Sequence, residues 1–111
     1  MLLGTVAGGA ATAWGASVPC DIGPAVADWA LYKGALVAEL ADTPLPVIIV
    51  NTHLIANYSN NWSRSNRYAQ LEHGQAQELA QLINRLNRNA LVLLSGDFNF
   101  PQESWVYEEF V

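Results

Sequence analysis

Apolar and polar positions alternate clearly from Lys33 onward. Residues 33–40 alternate well enough to predict a strand. Residues 47–50 (VIIV) are continuously β-branched and apolar, which predicts a second strand that is buried on both faces. The segment between them contains two prolines, which sheet interiors exclude, so we expect a turn that joins an antiparallel pair.

The second half of the chain predicts a long helix followed by a third strand. Apolar residues recur at helical spacing from residue 65 to about residue 88, which predicts an amphipathic helix. Residues 91–94 (LVLL) predict another buried strand, and a turn over residues 95–99 follows it. Pro101 is expected in the first turn of a short helix that continues to Glu109.

The order strand, helix, strand predicts a βαβ unit, so the fold class is α/β. The crossover makes its two strands parallel, and their carboxyl ends then meet at one edge of the sheet. His53 follows the first of these strands, and Asp97 and Asn99 follow the second. We therefore expect these three side chains to converge at that edge.

Residues 1–25 are rich in Ala and Gly and show no clean periodicity, so no element is predicted and the segment stays unassigned. Residues 26–111 are assigned to one partial domain. No Lys or Arg precedes the apolar run 2–18, and its length and glycine content argue against a signal peptide and a membrane span. Localisation stays open.

Composition narrows the class of protein. A hydrophobic content of 51% with 14% charged residues supports a packed core. Ten acidic and five basic residues give a net charge of -5, which disfavours a free-standing nucleic-acid binder. The one cysteine, Cys20, excludes an internal disulfide and does not indicate a compartment.

A histidine, a carboxylate and a carboxamide at one edge suit phosphoryl transfer. The attacking water needs a proton acceptor, and the charge on the phosphoryl oxygens needs donors and a hard cation with oxygen ligands. From spacing alone, a second interpretation is equally good: Asp97 or Asn99 caps a helix and His53 is a core histidine.

Two short signatures carry a resemblance to a known superfamily. Thr52-His53-Leu54 and Gly96-Asp97-Phe98-Asn99, with Gln75 and Glu78 on the helix between them, resemble the endonuclease/exonuclease/phosphatase superfamily of metal-dependent phosphoesterases. A narrower resemblance, to neutral sphingomyelinases and related phospholipases C, rests on residues 52–58, on residues 75–81, and on Asp28 ahead of Lys33-Gly34. It implies a fragment of the four-layer α/β/β/α sandwich of DNase I-like proteins.

The resemblance also implies roles at the matching positions. His53 would contact the phosphate, Asp97 would activate or orient the attacking water, and Asn99 would bind a phosphate oxygen near the metal. Mg²⁺ is the implied cofactor, with Asp97 and Asn99 as its implied ligands. Asp28 would lie close to this catalytic cluster, although an acidic surface residue beside Trp29 is an equal alternative.

The substrate that the resemblance implies is a sphingomyelin-type phospholipid, which the protein would reach at a membrane surface. Nucleic acid is disfavoured as a partner, and no obligate protein partner is expected. DNA or an inositol phosphate is the alternative, as is a non-catalytic fragment. Tyr58 and Trp62 either touch the head group or fold back on the core. The superfamily's metal-binding Glu and terminal Asp-His pair have no counterpart that we can locate, so we expect this chain alone to be inactive.

Overall fold

A computed structural model describes residues 33–111 and the backbone of residues 6–13. These ranges contain four strands and two helices, in the order β1 (Val6–Ala13), β2 (Gly34–Leu40), β3 (Val47–His53), α1 (Arg67–Asn84), β4 (Leu91–Asp97) and α2 (Trp105–Phe110). None of the helices in these ranges is long and apolar enough to cross a membrane.

The strands form one mixed sheet in the order β1-β2-β3-β4. β1 pairs with β2 and β2 pairs with β3 in antiparallel fashion, whereas β3 and β4 are parallel. The predicted antiparallel pair and the predicted parallel crossover are therefore both confirmed, as is the α/β class. The parallel register pairs Ile48 with Val92 and ends by pairing His53 with Asp97.

Helix α1 occupies the middle of the range that its apolar periodicity predicts. It begins after Asn66, whose side chain accepts the N–H groups of Tyr68 and Ala69 at 3.0 and 3.1 Å. This cap satisfies two of the unpaired donors at the helix start. The helix ends at Asn84, short of the predicted residue 88, and Arg85 closes its last turn on the carbonyls of Leu82 and Ile83.

Three local expectations are corrected. The predicted turn over residues 95–99 begins later, because β4 continues to Asp97. Helix α2 begins at Trp105 rather than at Pro101, since Ser104 is the residue that caps it by accepting the Tyr107 N–H. Val6–Ala13, for which the sequence predicts no element, forms β1, while the domain boundary near residue 25 stays a prediction.

The core lies on the face of the sheet that α1 covers. Ile48 and Val50 of β3 are buried, and they pack with Leu79 of α1 and Val106 of α2. Along β3 the buried positions alternate with partly exposed ones. The prediction that residues 47–50 and 91–94 are buried on both faces is therefore wrong in this structure.

The opposite face of the sheet exposes leucines. Leu91 and Leu93 of β4 are 53% and 48% exposed, and Leu36 of β2 is 55% exposed. Side chains alternate along a strand, so these positions share a face with His53 and Asp97 at its polar end. The candidate site thus lies at the end of an apolar surface.

Candidate active site

The parallel pair brings His53 and Asp97 together. They are the last residues of β3 and β4 and are register partners. His53 Nε2 lies 3.8 Å from Asp97 Oδ2, and the side chains are 50% and 63% exposed. Two further polar residues of the same face, Asn51 and Ser95, are joined by a hydrogen bond of 3.1 Å. This edge of the sheet therefore presents an accessible imidazole beside an accessible carboxylate.

Gly96 allows the two strands to come this close. It lies opposite Thr52 in the register, and its φ of +135° belongs to a region that side-chain-bearing residues rarely adopt. A Cβ atom at this position would lie 1.9 Å from the Thr52 carbonyl oxygen. Glycine is therefore required one residue before Asp97.

The turn after β4 fixes Asn99 next to the same edge. The Asn99 backbone N–H donates to Asp97 Oδ1 at 3.0 Å, and Asn99 Nδ2 donates to the Leu54 carbonyl at 2.9 Å. Asn99 has a φ of +58°, which asparagine tolerates better than most residues. Its amide nitrogen is thus engaged with Leu54, and its carboxamide oxygen remains as an acceptor at the site.

The backbone just after His53 is held on several sides. The Leu54 N–H donates to the Asp97 carbonyl at 2.9 Å, and Lys33 Nζ donates to the Leu54 carbonyl at 3.4 Å. The Ile55 N–H donates to Gln75 Oε1 of α1 at 2.8 Å. These bonds connect the residues that border β2 and β3 with β4 and α1, at the point where the chain leaves the sheet after His53.

Residues 54–65, which we call the site loop, fold back on the domain. The Trp62 indole Nε1–H donates to Glu72 Oε2 at 2.8 Å, and the ring packs against the hydrophobic core. Tyr58 packs edge-on against Tyr68, with ring centroids 5.8 Å apart. The structure favours packing on the core for Trp62, whereas Tyr58 lies against Tyr68 and remains 45% exposed.

Glu72 is a buried acid on the inner face of α1. Its side chain is fully buried, and Oε1 has no hydrogen-bond partner among the described residues. Burial raises the pKa of Glu72 to about 8, although the Trp62 hydrogen bond acts in the opposite direction. The Glu72 carboxyl is therefore predominantly protonated at neutral pH.

His73 belongs to a different cluster. Its Nε2 lies 2.9 Å from Glu109 Oε2, and Glu109 Oε1 accepts from Arg64 Nη1 at 2.7 Å. Arg64 also stacks 4.6 Å above the Trp105 ring. The pKa of Glu109 is lowered, and the hydrogen bond from Arg64 is the largest cause. This cluster joins the site loop to both helices, so His73 is a structural residue.

The site residues fit a divalent cation through two oxygen donors. Asp97 offers a carboxylate and Asn99 a carboxamide oxygen, which are hard ligands of the kind that Mg²⁺ accepts alongside water and phosphate. Within residues 33–111, no group of three or more His, Cys, Asp or Glu side chains is arranged to hold a metal ion. Asp28, the fourth predicted site residue, lies outside the described residues.

The sequence pattern does not reveal two of the residues around the site. Lys33 is expected only as a strand-edge residue, yet it reaches the Leu54 carbonyl. Glu72 lies on the helix between the two signatures, and nothing in the pattern predicts its bond to Trp62. The contact joins a helix to a loop whose sequence has no periodicity. The sequence of the helix therefore does not indicate which loop residue it contacts.

Comparison with known proteins identifies the fold to which this chain belongs. No protein-family model matches the chain, and no curated protein matches it. Among solved structures, D. rerio TDP2 complexed with a single-strand DNA product superposes with a TM-score of 0.60 at 14% identity, over 87% of this chain and 31% of that one. The sphingomyelinase C of Streptomyces griseocarneus gives 0.56 at 20% identity, over 71% of this chain and 27% of that one.

A variant of the beta toxin from Staphylococcus aureus with bound magnesium ions gives a TM-score of 0.58 at 15% identity, over 71% of this chain and 27% of that one. The chain thus spans between about a quarter and a third of these structures. At these identities the likeness shows the fold: the chain forms part of a DNase I-like domain, as the sequence resemblance implied.

Proposed function

We propose that this chain is part of a metal-dependent phosphodiesterase of the endonuclease/exonuclease/phosphatase superfamily. The observation that carries the proposal is the approach of His53 Nε2 to Asp97 Oδ2 at 3.8 Å, at the carboxyl ends of two parallel strands. Ligands of open α/β sheets bind at such an edge. The superposition on a sphingomyelinase and on TDP2 supports the same reaction class.

The proposed chemistry follows from the groups present. Asp97 Oδ1 is engaged by the Asn99 N–H, so Oδ2 is the atom that would accept a proton from an attacking water. His53 would donate an N–H to a phosphoryl oxygen and stabilise the charge that develops there. Asp97 and Asn99 would hold a divalent cation, which supplies further charge neutralisation at the phosphate when bound.

For the substrate we propose a sphingomyelin-type phospholipid, met at a membrane surface. The net charge of -5 supports a lipid rather than a polyanionic nucleic acid. DNA is the second candidate, because the TDP2 complex that superposes over 87% of this chain contains a DNA product. We also propose that the exposed leucine face packs on a second sheet in the complete protein, which would give the four-layer sandwich.

The test is an assay of the complete protein on sphingomyelin, phosphatidylcholine and plasmid DNA, each with Mg²⁺ and with a chelator. We expect chelator-sensitive hydrolysis of sphingomyelin, reduced by a factor on the order of 100 or more in His53→Ala, because one preorganised donor is lost. Asp97→Asn and Asn99→Ala should also lower turnover per folded molecule. Folded complete protein that hydrolyses none of the three would contradict the proposal.

A matched control lies elsewhere in the chain. Asp42→Asn makes the same chemical change in the turn between β2 and β3, at the other end of the sheet. It should retain turnover per folded molecule. A loss in Asp42→Asn as large as that in Asp97→Asn would remove Asp97 from the site.

The isolated 111-residue chain should be nearly inactive in the same assay. The resemblance implies a further Glu and an Asp-His pair that this sequence does not supply at recognisable positions. Chelator-sensitive sphingomyelin hydrolysis by the purified chain, abolished in Asp97→Asn, would show that its site is complete.

A further inference from the structure

Two buried polar side chains on one face of α1 hold the site loop. Gln75 Oε1 accepts the Ile55 N–H, and Glu72 Oε2 accepts the Trp62 indole N–H, both at 2.8 Å. Both acceptor side chains are fully buried. The two contacts fix the loop near its start and near its end, from positions that are about one helical turn apart.

Between these anchors the loop is bonded mainly to itself. Asn57 Oδ1 accepts the backbone N–H of Ser59 at 3.0 Å, and Asn57 Nδ2 donates to the Asn61 carbonyl at 2.9 Å. Asn61 Oδ1 in turn accepts the Ser63 N–H at 2.9 Å. These local bonds give the loop its shape. Two further contacts tie its middle to the start of α1: Asn66 Nδ2 donates to Ser59 Oγ at 2.9 Å, and Tyr58 packs on Tyr68.

The Trp62 anchor bears on the candidate site through the loop's first residues. The Leu54 carbonyl is the acceptor of Asn99 Nδ2, and Leu54 follows His53 directly. A shift of the loop that reaches Leu54 would change the backbone on which the Asn99 carboxamide is held, and it would act against the bonds that Leu54 and Ile55 make with Asp97, Lys33 and Gln75. Displacements of about 1 Å in a catalytic arrangement are enough to reduce rates substantially.

We propose that Glu72 is a positioning residue, which holds the site loop through Trp62 and thereby sets the placement of Asn99 beside His53 and Asp97. The inference rests on the proposed function in that it takes this edge to be the phosphate site. The Glu72 carboxyl performs this role as a neutral acid. Loss of its proton would leave a buried carboxylate with one donor, which favours an opening of the loop that hydrates it.

The causes of the raised Glu72 pKa agree with this role. Burial and the Trp62 hydrogen bond are the two causes that set the Glu72 pKa, and no charged side chain contributes to it. Gln75, a polar residue on the same buried face, is neutral and leaves its Nε2 without a partner among the described residues. Burial of the side chain therefore keeps the proton on Glu72, and the Trp62 hydrogen bond opposes this effect.

The test is an NMR titration of the 111-residue chain from pH 6 to pH 10. It follows the Trp62 indole N–H and the Asn99 side-chain amide, in the wild type, Glu72→Gln, Trp62→Phe and the exposed control Glu103→Gln. In the wild type and in Glu103→Gln, both signals should shift together with a midpoint near pH 8. Glu72→Gln should keep the indole hydrogen bond and lose the transition.

Trp62→Phe keeps a ring and removes the donor, so the Asn99 amide signal should differ from wild type at every pH. If Glu72→Gln does not fold, the wild-type titration and the Trp62→Phe variant still test whether Glu72 positions the site loop. An unchanged Asn99 signal in Trp62→Phe, or a wild type in which the two signals do not titrate together, would overturn the proposal.

An activity measurement on the complete protein separates this inference from the proposed function. Trp62→Phe should lower kcat at pH 7 by about ten-fold with little change in KM. The wild type should lose activity above about pH 8, and Glu72→Gln should remove that loss. If neither the wild type nor any variant hydrolyses a phosphodiester, the proposed function fails. The NMR result then still decides whether Glu72 positions the loop.

Discussion

Gly96 shows at the residue scale why the site sequence is constrained. A side chain at this position would bring its Cβ atom to 1.9 Å from the carbonyl oxygen of Thr52 and to 2.7 Å from the amide nitrogen of the same residue. Both atoms belong to the backbone of β3, so they can move only if the strand pairing moves. The positive φ of +135° adds strain for any side chain.

We expect Gly96→Ala to destabilise the chain by at least about 2 kcal/mol, because overpacking and backbone strain act together. Gly74→Ala is the matched control, since nothing lies within 4 Å of a Cβ atom there. In the interior of α1, alanine should stabilise by about 0.5 to 1 kcal/mol. Urea unfolding of both variants measures the difference, and equal effects would contradict this account of Gly96.

At the scale of elements, the sequence predicts the helix and strands, whose apolar residues follow a pattern, and misses the contacts of the loop, which has none. The α1 periodicity and the apolar runs of β3 and β4 are sufficient to predict the parallel pair, and with it the meeting of His53 and Asp97. The contact of Trp62 with Glu72 depends on the folded course of a loop, which has no period. The predicted start of α2 is also wrong, because Ser104 caps the helix and Pro101 only precedes it in a turn.

The continuous apolar runs correctly predict strands but wrongly predict burial on both faces. Leu93 is 48% exposed although its neighbour Leu94 packs against the core. A sequence selected to lie between two layers keeps the apolar residues of both faces. The pattern therefore agrees with the proposed second layer over the exposed face.

We expect Leu93→Ala to destabilise the complete protein by about 2 to 3 kcal/mol, because the leucine face would be covered there by a second layer. Leu45→Ala is the control, since Leu45 is 66% exposed in the turn between β2 and β3, and its loss should cost less than about 0.5 kcal/mol. Thermal or urea unfolding compares the two. Equally small effects would argue against a covering layer.

At the scale of the whole molecule, two carboxyl groups make the stability of the fold depend on pH in opposite directions. The pKa of Glu109 is lowered, chiefly by the hydrogen bond from Arg64, so its contribution is present above its ordinary value of 4.5 and is lost as the pH falls through the lowered pKa. The pKa of Glu72 is raised to about 8 by burial. Between 4.5 and 8 the folded chain holds a proton on Glu72 that the unfolded chain has released.

The sign for Glu72 follows from this difference in bound protons. Because the folded state binds more protons across this window, the free energy of unfolding falls as the pH rises from about 4.5 to about 8, by at most about 1.4 kcal/mol per pH unit. Above that window the contribution is constant. Together the two groups make the free energy of unfolding greatest near the acidic end of this pH window. There Glu109 is ionised, and the buried Glu72 carboxyl destabilises the fold little.

Urea unfolding of the wild type at pH 5, 6, 7, 8 and 9 should therefore show a steady loss of stability that levels off above about pH 8. Glu72→Gln should flatten this profile, because the amide cannot release a proton and still offers an oxygen to the Trp62 indole. Glu103→Gln, which changes an exposed acid, should leave the slope unchanged. If the wild type and Glu72→Gln lose stability in parallel, the dependence arises from other groups and the buried carboxyl is not the acid that limits the fold at alkaline pH.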